Sequence, residues 1–458
     1  MAVVACVDIG STFTKAVAVR TDDGCLLAAA SVPTTSGTDV LDGLREAVDR
    51  LAGATGPVDD VLACSSAGGG LRVAVVGYER AVTAEAGHRV ALSAGGKVVH
   101  VHAGPLDRES LATLRAARPD VVLLVGGTDG GNAEVLLHNA SRLAKARLAV
   151  PVVLAGNGDA APEALAELEA TGRRVVAAPN VLPRIGVLEP EGARAAIREV
   201  FLEHVIGGKH LSRGAELGRL VRGPTPDVVL SGVEVLADGA AGVPGLGEVL
   251  VVDVGGATTD VYSVLTPEGE DATLRKEVVA PLWRARTVEG DLGMRWGATG
   301  VVEAAVSERL VGEDEAERLR AVARRRTADV SWVPEAPEDV EDDTRLAQLA
   351  VTVALRRHAR PTGPTSSGRD LRTVAAVIGS GGVLRHADDE VRRRVLLPAT
   401  TDHAGGWRVP EEAATVVDER YVLFAAGLLA PTAPVAAARL ALSVVGASAR
   451  HGDAAATH

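Results

Sequence analysis

Short apolar runs alternate with amphipathic stretches between about residues 72 and 180. Five runs rich in β-branched residues predict strands, and helical spacing of apolar positions fills the intervals between them. This alternation is typical of a parallel, doubly wound sheet. We predict strands at 73–76, 98–102, 121–125, 152–155 and 175–178, and helices at 81–92, 110–117, 134–146 and 162–171.

The two flanking regions begin alike. Residues 1–20 predict two short strands around a turn, and the same pattern begins again at Val249, after a segment punctuated by glycine and proline at 224–247. A largely helical stretch follows, and its acidic run Glu338–Asp343 favours a solvated loop. Further strands are predicted at 24–32, 61–64, 373–378 and 414–417, and helices at 39–51 and 191–205.

These patterns divide the chain into six segments. They are the N-terminal part of a first lobe (1–71), an inserted α/β subdomain that continues this lobe (72–180), a connecting helix region (181–223), a second lobe (224–418), C-terminal helices that pack back on the first lobe (419–450) and a disordered tail (451–458).

An uncharged stretch at residues 422–438 raises the question of a membrane span. It has only 17 residues, and Pro431 and Pro434 interrupt it. A span needs about 20 strongly apolar residues, so we predict a buried pair of helices and no membrane association. The N-terminus runs from Met1 into a strand-like segment without the basic region of a signal peptide, which favours a cytoplasmic protein.

The strongest signal is an internal repeat. Residues 4–17 (VACVDIGSTFTKAV) resemble residues 250–261 (LVVDVGGATTDV): each has an apolar strand, Asp-x-Gly, small hydroxyl residues and a second apolar strand. Asp8 and Asp253 lie 245 residues apart, one near the start of each half. One Asp-x-Gly often marks only a β-turn, but two copies at equivalent places indicate a duplication.

The repeated residues suit the binding of a metal-bound phosphate chain. An aspartate at a strand end can hold a Mg²⁺-bound water, and glycine lets the backbone approach a phosphate closely. Backbone N–H groups and hydroxyls then bind phosphate oxygens, and Lys15 adds a point charge. We therefore predict that Asp8 and Asp253 bind the metal ion and that Asp8, Asp253 and Lys15 are the catalytic residues. The predicted nucleotide-binding residues are Gly10, Ser11, Thr12, Gly255, Gly256, Ala257, Thr258 and Thr259.

Two later segments support this interpretation. Residues 375–384 (AAVIGSGGVL) predict a strand, a glycine-rich turn and a helix, and the turn would let an adenosine lie against bare backbone; its residues are Gly379, Ser380, Gly381 and Gly382. Glycine is common in such turns, so this signal is weak alone. Ala425–Gly427 would allow two helices to approach closely at a hinge, although ordinary packing explains these small residues equally well.

Composition excludes several classes of function. The net charge of −12 argues against a protein that binds nucleic acid through many phosphates. Three cysteines without a CxxC pair favour reduced cytosolic thiols. Gly95-Gly96-Lys97 is followed by valine and lacks the upstream glycine, so it is no P-loop. His100 and His102 alternate on one strand, where packing is a better interpretation than a metal site.

The repeat resembles a known superfamily. Asp8-Ile9-Gly10-Ser11 with Lys15 is similar to the first phosphate motif of actin and its relatives, and residues 253–261 are similar to the second phosphate motif of Hsp70. Gly379–Gly382 resembles the adenosine motif, and the region of Ala425–Gly427 the second connecting helix. The resemblance implies a fold of duplicated ribonuclease-H-like lobes of the actin/Hsp70 type that flank a nucleotide cleft, with an inserted parallel α/β subdomain.

Within this superfamily, the chain resembles the accessory MutL proteins of adenosylcobalamin-dependent glutamate mutase. The resembling stretches are 8–15, the loop 126–131, PNVLPRIG at 179–186 and VEGDLGMR at 288–295. The resemblance implies ATP and Mg²⁺ as cofactors, and a slow ATPase that acts as a chaperone or reactivating factor for the mutase subunits. No Asp-x-His-x-x-Gly motif for binding cobalamin itself is present. A homo-oligomer stays open, as does the identity of the client mutase.

The sequence leaves the chemistry of hydrolysis open. One of the two aspartates could orient the attacking water, but no dedicated general base is identifiable. Glu289 and Asp291 are candidates either for nucleotide contacts or for a structural ion pair. Three alternative functions stay open: a small-molecule kinase of the same superfamily, an activator of a radical dehydratase, and a scaffold or filament former that binds ATP without hydrolysing it.

Overall fold

The computed structural model describes residues 2–146, 148–207, 211–212, 216–266, 283–361 and 368–455, with side chains up to residue 446. The strands are β1 Val3–Ile9, β2 Phe13–Arg20, β3 Leu26–Pro33, β4 Asp60–Ser65, β5 Leu71–Gly77, β6 Gly96–Ala103, β7 Val121–Leu124, β8 Val152–Leu154, β9 Val175–Ala177, β10 Val221–Pro224, β11 Gly239–Ala240, β12 Val243–Pro244, β13 Val249–Val254, β14 Thr259–Val264, β15 Arg284–Glu289, β16 Ala376–Ser380 and β17 Ala414–Val417.

The helices of the described residues connect and cover these strands. They are α1 Val40–Thr55, α2 Thr83–Ser93, α3 Arg108–Ala116, α4 Glu134–Lys145, α5 Ala161–Glu169, α6 Glu191–Val200, α7 Glu216–Leu220, α8 Thr225–Asp238, α9 Ala298–Ser307, α10 Glu313–Ala328, α11 Pro337–Ala359, α12 Gly382–Arg385, α13 Asp389–Leu396, α14 Pro398–Thr401, α15 Leu423–Leu429 and α16 Pro434–Ala455; a 3₁₀ turn lies at Ala67–Gly69 and a π-helical turn at Phe201–Ile206.

Two of the sheets have the same topology. The first has the strand order β10-β4-β1-β2-β3, and the second has the equivalent order β17-β16-β13-β14-β15. In each, the first two strands form an antiparallel hairpin, the third pairs antiparallel with the second, and the last two run parallel to the first. The duplication that the repeat predicts is therefore present in the sheets, and the predicted fold class is confirmed.

A third sheet belongs to the inserted subdomain. Its five strands are all parallel, in the order β6-β5-β7-β8-β9. The insertion lies between β4 and β10 of the first sheet along the chain. One face packs against α3, α4 and α5, whereas the other shares a continuous core with the first lobe. The subdomain is thus fixed to the first lobe by apolar packing as well as by the chain.

Two crossing helices lie between the lobes. α8 leaves the first sheet and α15 follows the last strand of the second, and their apolar residues pack against both sheets. At the crossing, a Cβ on Gly232 would lie 1.9 Å from the Leu423 carbonyl oxygen, and one on Gly427 would lie 1.9 Å from that of Val228. Only glycine permits this approach, as the small residues at 425–427 predict.

Several local predictions need correction. The segment 224–247 contains the long helix α8, and this helix joins the lobes, whereas α6 covers a face of the inserted sheet. Residues 338–343 lie in the first turns of α11, and Asp343 is buried. Residues 451–455 of the predicted disordered tail continue α16, and 456–458 lie outside the described residues. Among the described residues, every helix is too short or too polar to cross a membrane.

Candidate functional site

The two repeated hairpins have the same turn geometry. Gly10 N–H donates to the Phe13 carbonyl at 3.1 Å, and Gly255 N–H donates to that of Thr258 at 2.9 Å. A Cβ at either glycine would lie within 3.0 Å of the same carbonyl oxygen, namely 2.7 Å for Gly10 and 2.9 Å for Gly255. Both tight turns therefore require glycine.

The sheet register also relates the charged residues of the two hairpins. Asp8 pairs with Lys15 across the first hairpin, and Asp253 pairs with Asp260 across the second. The duplicated sheets thus place Lys15 in the first lobe and Asp260 at the equivalent position of the second lobe. This difference gives the two hairpins distinct chemistry within one geometry.

Both hairpins line one polar cleft of about 450 Å³. The cleft contains the three residues predicted as catalytic, Asp8, Lys15 and Asp253, and it is bordered by the start of α8. Its further lining residues include Gly10, Ser11, Thr12, Ser65, Ser66, Gly95, Lys97, Thr225, Thr258, Asp260, Arg286 and Tyr421. The two aspartates, which the chain separates by a whole lobe, therefore face the same space.

Asp8 is buried and accepts hydrogen bonds on both carboxylate oxygens. Thr225 Oγ1 donates to Oδ1 at 2.6 Å, and the Tyr421 hydroxyl donates to Oδ2 at 3.1 Å. The Cys64 thiol lies 3.7 Å from Oδ1, and burial raises its pKa well above the ordinary value, so it stays protonated. These donors hold the carboxylate in one orientation.

Lys15 and Arg385 lie against the ring of Tyr421. The Lys15 ammonium is 4.1 Å from the ring centroid, and the Arg385 guanidinium is 5.1 Å from it. Burial, and then the nearby charge of Asp8, raise the pKa of the Tyr421 hydroxyl well above its ordinary value. The hydroxyl therefore remains a donor, and one aromatic side chain contacts the principal charges of the first hairpin.

Asp253 is the less hydrogen-bonded of the two aspartates. Burial raises its pKa to about 6 from the ordinary 3.8, and the positive charge of Lys15 opposes this rise. Removing a carboxylate from water disfavours its charged form unless a cation compensates. The group would gain most from a bound metal ion, because a cation would replace the solvation that it has lost.

An apolar pocket of about 530 Å³ lies on the other side of the second hairpin turn. Gly255 and Gly256 of the turn line it, as does Gly382 at the start of α12. A Cβ at Gly382 would meet nothing within 4 Å, so bare backbone faces open space there. The other lining residues include Val254, Met294, Arg295, Val333, Pro334, Val340, Asp343, Thr344, Val383, His386 and Val391.

A buried ion-pair cluster supports one wall of this pocket. Asp343 accepts hydrogen bonds from Arg326 at 2.8 Å and from Arg295 at 3.1 Å. The Arg326 guanidinium also lies 3.6 Å from the ring centroid of Trp332. Asp343 is thus the residue of the acidic run 338–343 that, with Val340, lines the pocket. Its carboxylate can be buried because two arginines donate hydrogen bonds to it.

The structure separates some residues that the sequence predicts together. Thr258 lines the cleft, but Thr259 is fully buried, and its hydroxyl donates to the Leu292 carbonyl at 2.9 Å. Ala257 is exposed on the turn that precedes them. Thr259 therefore stabilises the hairpin rather than a ligand.

The adenosine motif is also divided. Gly379 and Ser380 are buried in β16, where Ser380 pairs with Asp253. Gly381 has φ 97°, and a Cβ there would lie 2.1 Å from the Val254 carbonyl oxygen, so it packs the turn against β13. Of these four residues, Gly382 is the one that lines the pocket.

Glu289 and Asp291 both form ion pairs with Arg357. Arg357 donates to Glu289 at 2.8 Å and to Asp291 at 2.7 Å. Neither carboxylate lines the cleft. The second of the two interpretations that the sequence left open is therefore the one observed.

Thr225, Tyr421, Arg286 and Lys97 are cleft residues that sequence reasoning missed. Thr225 follows the fifth strand of the first sheet, so the rule that parallel strands end at one edge could have found it. The other three reach the cleft from distant elements, and no local motif indicates them.

Metal-binding groups are sparse among the described residues. Within these ranges, no cluster of three or more His, Cys, Asp or Glu side chains is placed to hold a metal ion. Cys6 and Cys64 are buried free thiols, and Cys25 is an exposed one. Burial raises the pKa of the Cys6 thiol far above its ordinary value, which makes it a poor thiolate ligand.

The lobes and the cleft define the class of the molecule: an α/β protein of two duplicated ribonuclease-H-like lobes that face each other across a polar cleft. The chain belongs to the MutL family, because the family described as "MutL protein" matches residues 4–444. The curated relative "Protein MutL" of Clostridium tetanomorphum is 34% identical over 449 residues, which cover 94% of this chain and 97% of the relative. The predicted family membership is confirmed.

Solved structures with related folds are more distant. A nucleotide-free acetone carboxylase has a TM-score of 0.39 and 14% identity, with 94% of this chain and 70% of that one covered. A nucleotide-free diol dehydratase-reactivating factor has a TM-score of 0.36 and 12% identity, with 94% of this chain and 100% of that one covered. A ROK hexokinase from Thermus thermophilus has a TM-score of 0.30 and 13% identity, with 96% of this chain and 97% of that one covered. Similarities at this level are too remote to support a statement about function.

Proposed function

We propose that this chain binds Mg-ATP between its lobes and acts as an accessory or reactivating protein for an adenosylcobalamin-dependent mutase. The observation that carries the nucleotide site is that the second hairpin contributes to the lining of two cavities. The polar cleft is lined by Asp253 and Thr258, and the apolar pocket is lined by Gly255 and Gly256 of the turn between them. A nucleotide has a charged phosphate chain and a largely apolar base, and a polar and an apolar cavity beside one turn suit these two parts.

The phosphates would occupy the polar cleft. Backbone N–H groups of the two turns suit phosphate oxygens, and Lys15 supplies a positive charge. Mg²⁺ commonly keeps several waters and takes one or two protein carboxylates together with substrate phosphates. Asp8 and Asp253 are two carboxylates in one cleft and therefore fit this ion without a third protein ligand.

The adenosine would occupy the apolar pocket. Gly382 leaves backbone exposed to a planar ring, and Met294, Val383 and Val391 provide apolar contacts. The polar edge of an adenine could reach Thr344 or His386, which line the same pocket. The fit rests on the volume and lining of the pocket and on its position beside the same hairpin turn.

Slow hydrolysis is consistent with the two aspartates. Asp8 accepts hydrogen bonds from Thr225 and Tyr421, and these hold its carboxylate in one orientation. Asp253 lines the same cleft, and within the described residues no such donors engage its carboxylate, which suits a group that orients water. We assign the attacking water to Asp253, with Lys15 stabilising the charge on the terminal phosphate.

Calorimetry with Mg-ATP tests the nucleotide site. Asp8→Asn and Asp253→Asn should weaken binding at least tenfold, about 1.4 kcal/mol, whereas Asp22→Asn, at an exposed turn, should match the wild type. Equal affinities of all four proteins would refute the proposed site. A sample that consumes ATP only with a small metabolite would favour the kinase alternative, and sedimentation with ATP would favour the scaffold.

Family membership and the resemblance described above support the proposed mutase role. The decisive assay mixes the chain with a mutase inactivated by bound hydroxocobalamin, with and without Mg-ATP and fresh cofactor. Recovery of mutase activity that needs this chain, ATP and cofactor together would support the role. Recovery independent of ATP would refute it.

The inserted subdomain is our candidate for the client surface, because it exceeds the minimal lobe. Its shared core with the first lobe makes deletion of 72–180 unsuitable as a test. Ile185, in the loop that follows β9 at the edge of the inserted sheet and just beyond the segment 72–180, is 60% exposed, and Leu397 in the second lobe is 53% exposed. Ile185→Ser should reduce binding of the mutase at unchanged ATP affinity, and Leu397→Ser is the matched control.

A further inference from the structure

The turn between α2 and β6, with the start of β6, borders the nucleotide cleft although it belongs to the inserted subdomain. Gly95 of the turn and Lys97 near the start of β6 line the cleft together with Asp8, Lys15 and Asp253. We propose that this turn and the start of β6 form a third phosphate-binding element and that Lys97 contacts the terminal phosphate of the nucleotide. This inference rests on the proposed binding of ATP and extends it to the inserted subdomain.

Contacts with the first lobe fix the position of the turn. Gly95 has φ 77°, and a Cβ there would lie 2.8 Å from the Asp227 backbone nitrogen in the first turn of α8. A Cβ on Gly96 would lie 2.5 Å from a methyl group of Val73. Gly95 therefore allows the turn to press against the start of α8, beside Thr225, which donates to Asp8, whereas Gly96 lets β6 pack closely on β5.

A contact with the second lobe fixes the turn from the other side. Arg286 on β15 donates to the carbonyl oxygens of Leu92 at 3.3 Å and Gly96 at 3.4 Å. The same guanidinium is buried and donates to Asp260 at 2.8 Å. Asp260 lines the cleft and is the counterpart of Lys15 in the repeat. The turn is thus bonded to a charged pair of the second hairpin.

A triphosphate bound beside the carboxylates of the cleft would need a second free cation in addition to Lys15. Asp8, Asp253 and Asp260 are three carboxylates of one cavity, and Arg286 pairs with Asp260. A triphosphate keeps net negative charge after one Mg²⁺ has bound, and charged donors to phosphate oxygens form the stronger hydrogen bonds. Lys97 is exposed on the cleft wall, and no ion pair within the described ranges engages it. A terminal phosphate would give Lys97 a partner.

This placement connects the nucleotide to the subdomain proposed to bind the client. The turn joins α2, which packs beside β15, to β6 of the inserted sheet. A phosphate held by Lys97 would add a contact between the inserted subdomain and the cleft that is lost with the terminal phosphate. The subdomain would therefore differ in its freedom to move between the ATP and ADP states.

Titration of four proteins with Mg-ATP and with Mg-ADP tests the proposal: the wild type, Lys97→Ala, Lys97→Arg and Lys145→Ala. Lys145 lies on α4 of the same subdomain, outside the cleft. We expect Lys97→Ala to weaken Mg-ATP about tenfold and Mg-ADP less than about twofold, and Lys97→Arg to restore most of the loss. Lys145→Ala should match the wild type.

The outcomes distinguish this inference from the proposed function. Wild-type affinity for ATP in Lys97→Ala, or equal weakening of ATP and ADP, would overturn the role of Lys97 while leaving the nucleotide site intact. Absence of any nucleotide binding by the wild type would overturn both proposals.

Amide hydrogen exchange at saturating nucleotide gives a second readout. In the wild type, Mg-ATP should slow exchange in residues 83–103 relative to Mg-ADP, and Lys97→Ala should abolish this difference while protection of residues 10–14 persists. A merely structural lysine would alter exchange equally with both nucleotides. Equal exchange of residues 83–103 in the ATP and ADP states of the wild type would also overturn the proposal.

Discussion

Tyr421 donates a 3.1 Å hydrogen bond to Asp8, although the two residues are 413 positions apart in the chain. The segment that immediately precedes α15 places Tyr421 against the first hairpin, where its ring also lies beneath the Lys15 ammonium. Asp418 fixes this segment by accepting hydrogen bonds from the backbone N–H groups of Val422 and Leu423. The end of the second lobe thereby orients both charged groups of the first.

Removing the Tyr421 hydroxyl should therefore impair the first hairpin. A hydrogen bond to a charged group contributes about 1.5–3 kcal/mol, so Tyr421→Phe should weaken Mg-ATP roughly tenfold by calorimetry while the ring still faces Lys15. Tyr421→Ala, which also removes the ring, should lose more. The control is Tyr78→Phe, at the end of β5 and outside the cleft. Equal ATP affinity of Tyr421→Phe and wild type would exclude this positioning role.

The crossing of α8 and α15 should tolerate no side chain at its centre. A Cβ at Gly427 would lie 1.9 Å from the Val228 carbonyl oxygen, whereas one at Gly446 on α16 would meet nothing within 4 Å. Overpacking of this kind costs about 1–3 kcal/mol or more, so Gly427→Ala should lower the melting temperature by several degrees. Gly446→Ala should leave it unchanged or raise it slightly, because alanine favours helices. Similar melting temperatures would contradict the close crossing.

The sequence predicts the hairpins well because each depends on residues that are adjacent in the chain. Asp8, Gly10 and Lys15 form one turn and its strands, and the same holds for Asp253 and Gly255. The two threonines separate because Thr258 ends the turn and lines the cleft, whereas Thr259 begins β14 and is buried.

The remaining site residues depend on tertiary packing. Thr225 and Tyr421 reach Asp8 only because α8 and α15 cross between the lobes, and Lys97 reaches the cleft only because the inserted sheet packs on the first lobe. The sequence also conceals α8: its β-branched residues and Gly232 disfavour a helix locally, while burial against both sheets stabilises it. Local helix and strand propensities contain no information about such tertiary contacts.

Asp253 should make the stability of the nucleotide-free protein depend on pH. Its pKa is about 6 when folded and the ordinary value is 3.8, so the folded state binds the proton more tightly. The wild type should lose stability, on the order of 2 kcal/mol, as pH rises through this window. Asp253→Asn should lack this loss and therefore be more stable than the wild type at pH 7.5, with a smaller difference at pH 4.5.

Chemical denaturation at several pH values checks this prediction, with Asp22→Asn as the control for an exposed aspartate. Affinity for Mg-ATP should follow the opposite trend in the wild type and fall as pH drops below about 6, because the protonated carboxyl no longer attracts the cation. A stability difference between Asp253→Asn and wild type that is constant from pH 4.5 to 7.5 would contradict the assignment.

Filling the apolar pocket at Gly382 should separate recognition of adenosine from recognition of phosphate. A Cβ there meets no atom within 4 Å, so Gly382→Val should fold with little change in melting temperature while its side chain occupies the pocket. Because the polar cleft lies beyond the hairpin turn, the variant should lose affinity for Mg-ATP by more than about tenfold yet bind Mg-tripolyphosphate like the wild type. The control Arg393→Ala alters an exposed residue of nearby α13 outside the pocket and should bind both ligands normally. Unchanged ATP affinity in Gly382→Val would place the base elsewhere, and parallel loss of both ligands would mean that the substitution distorts the turn itself.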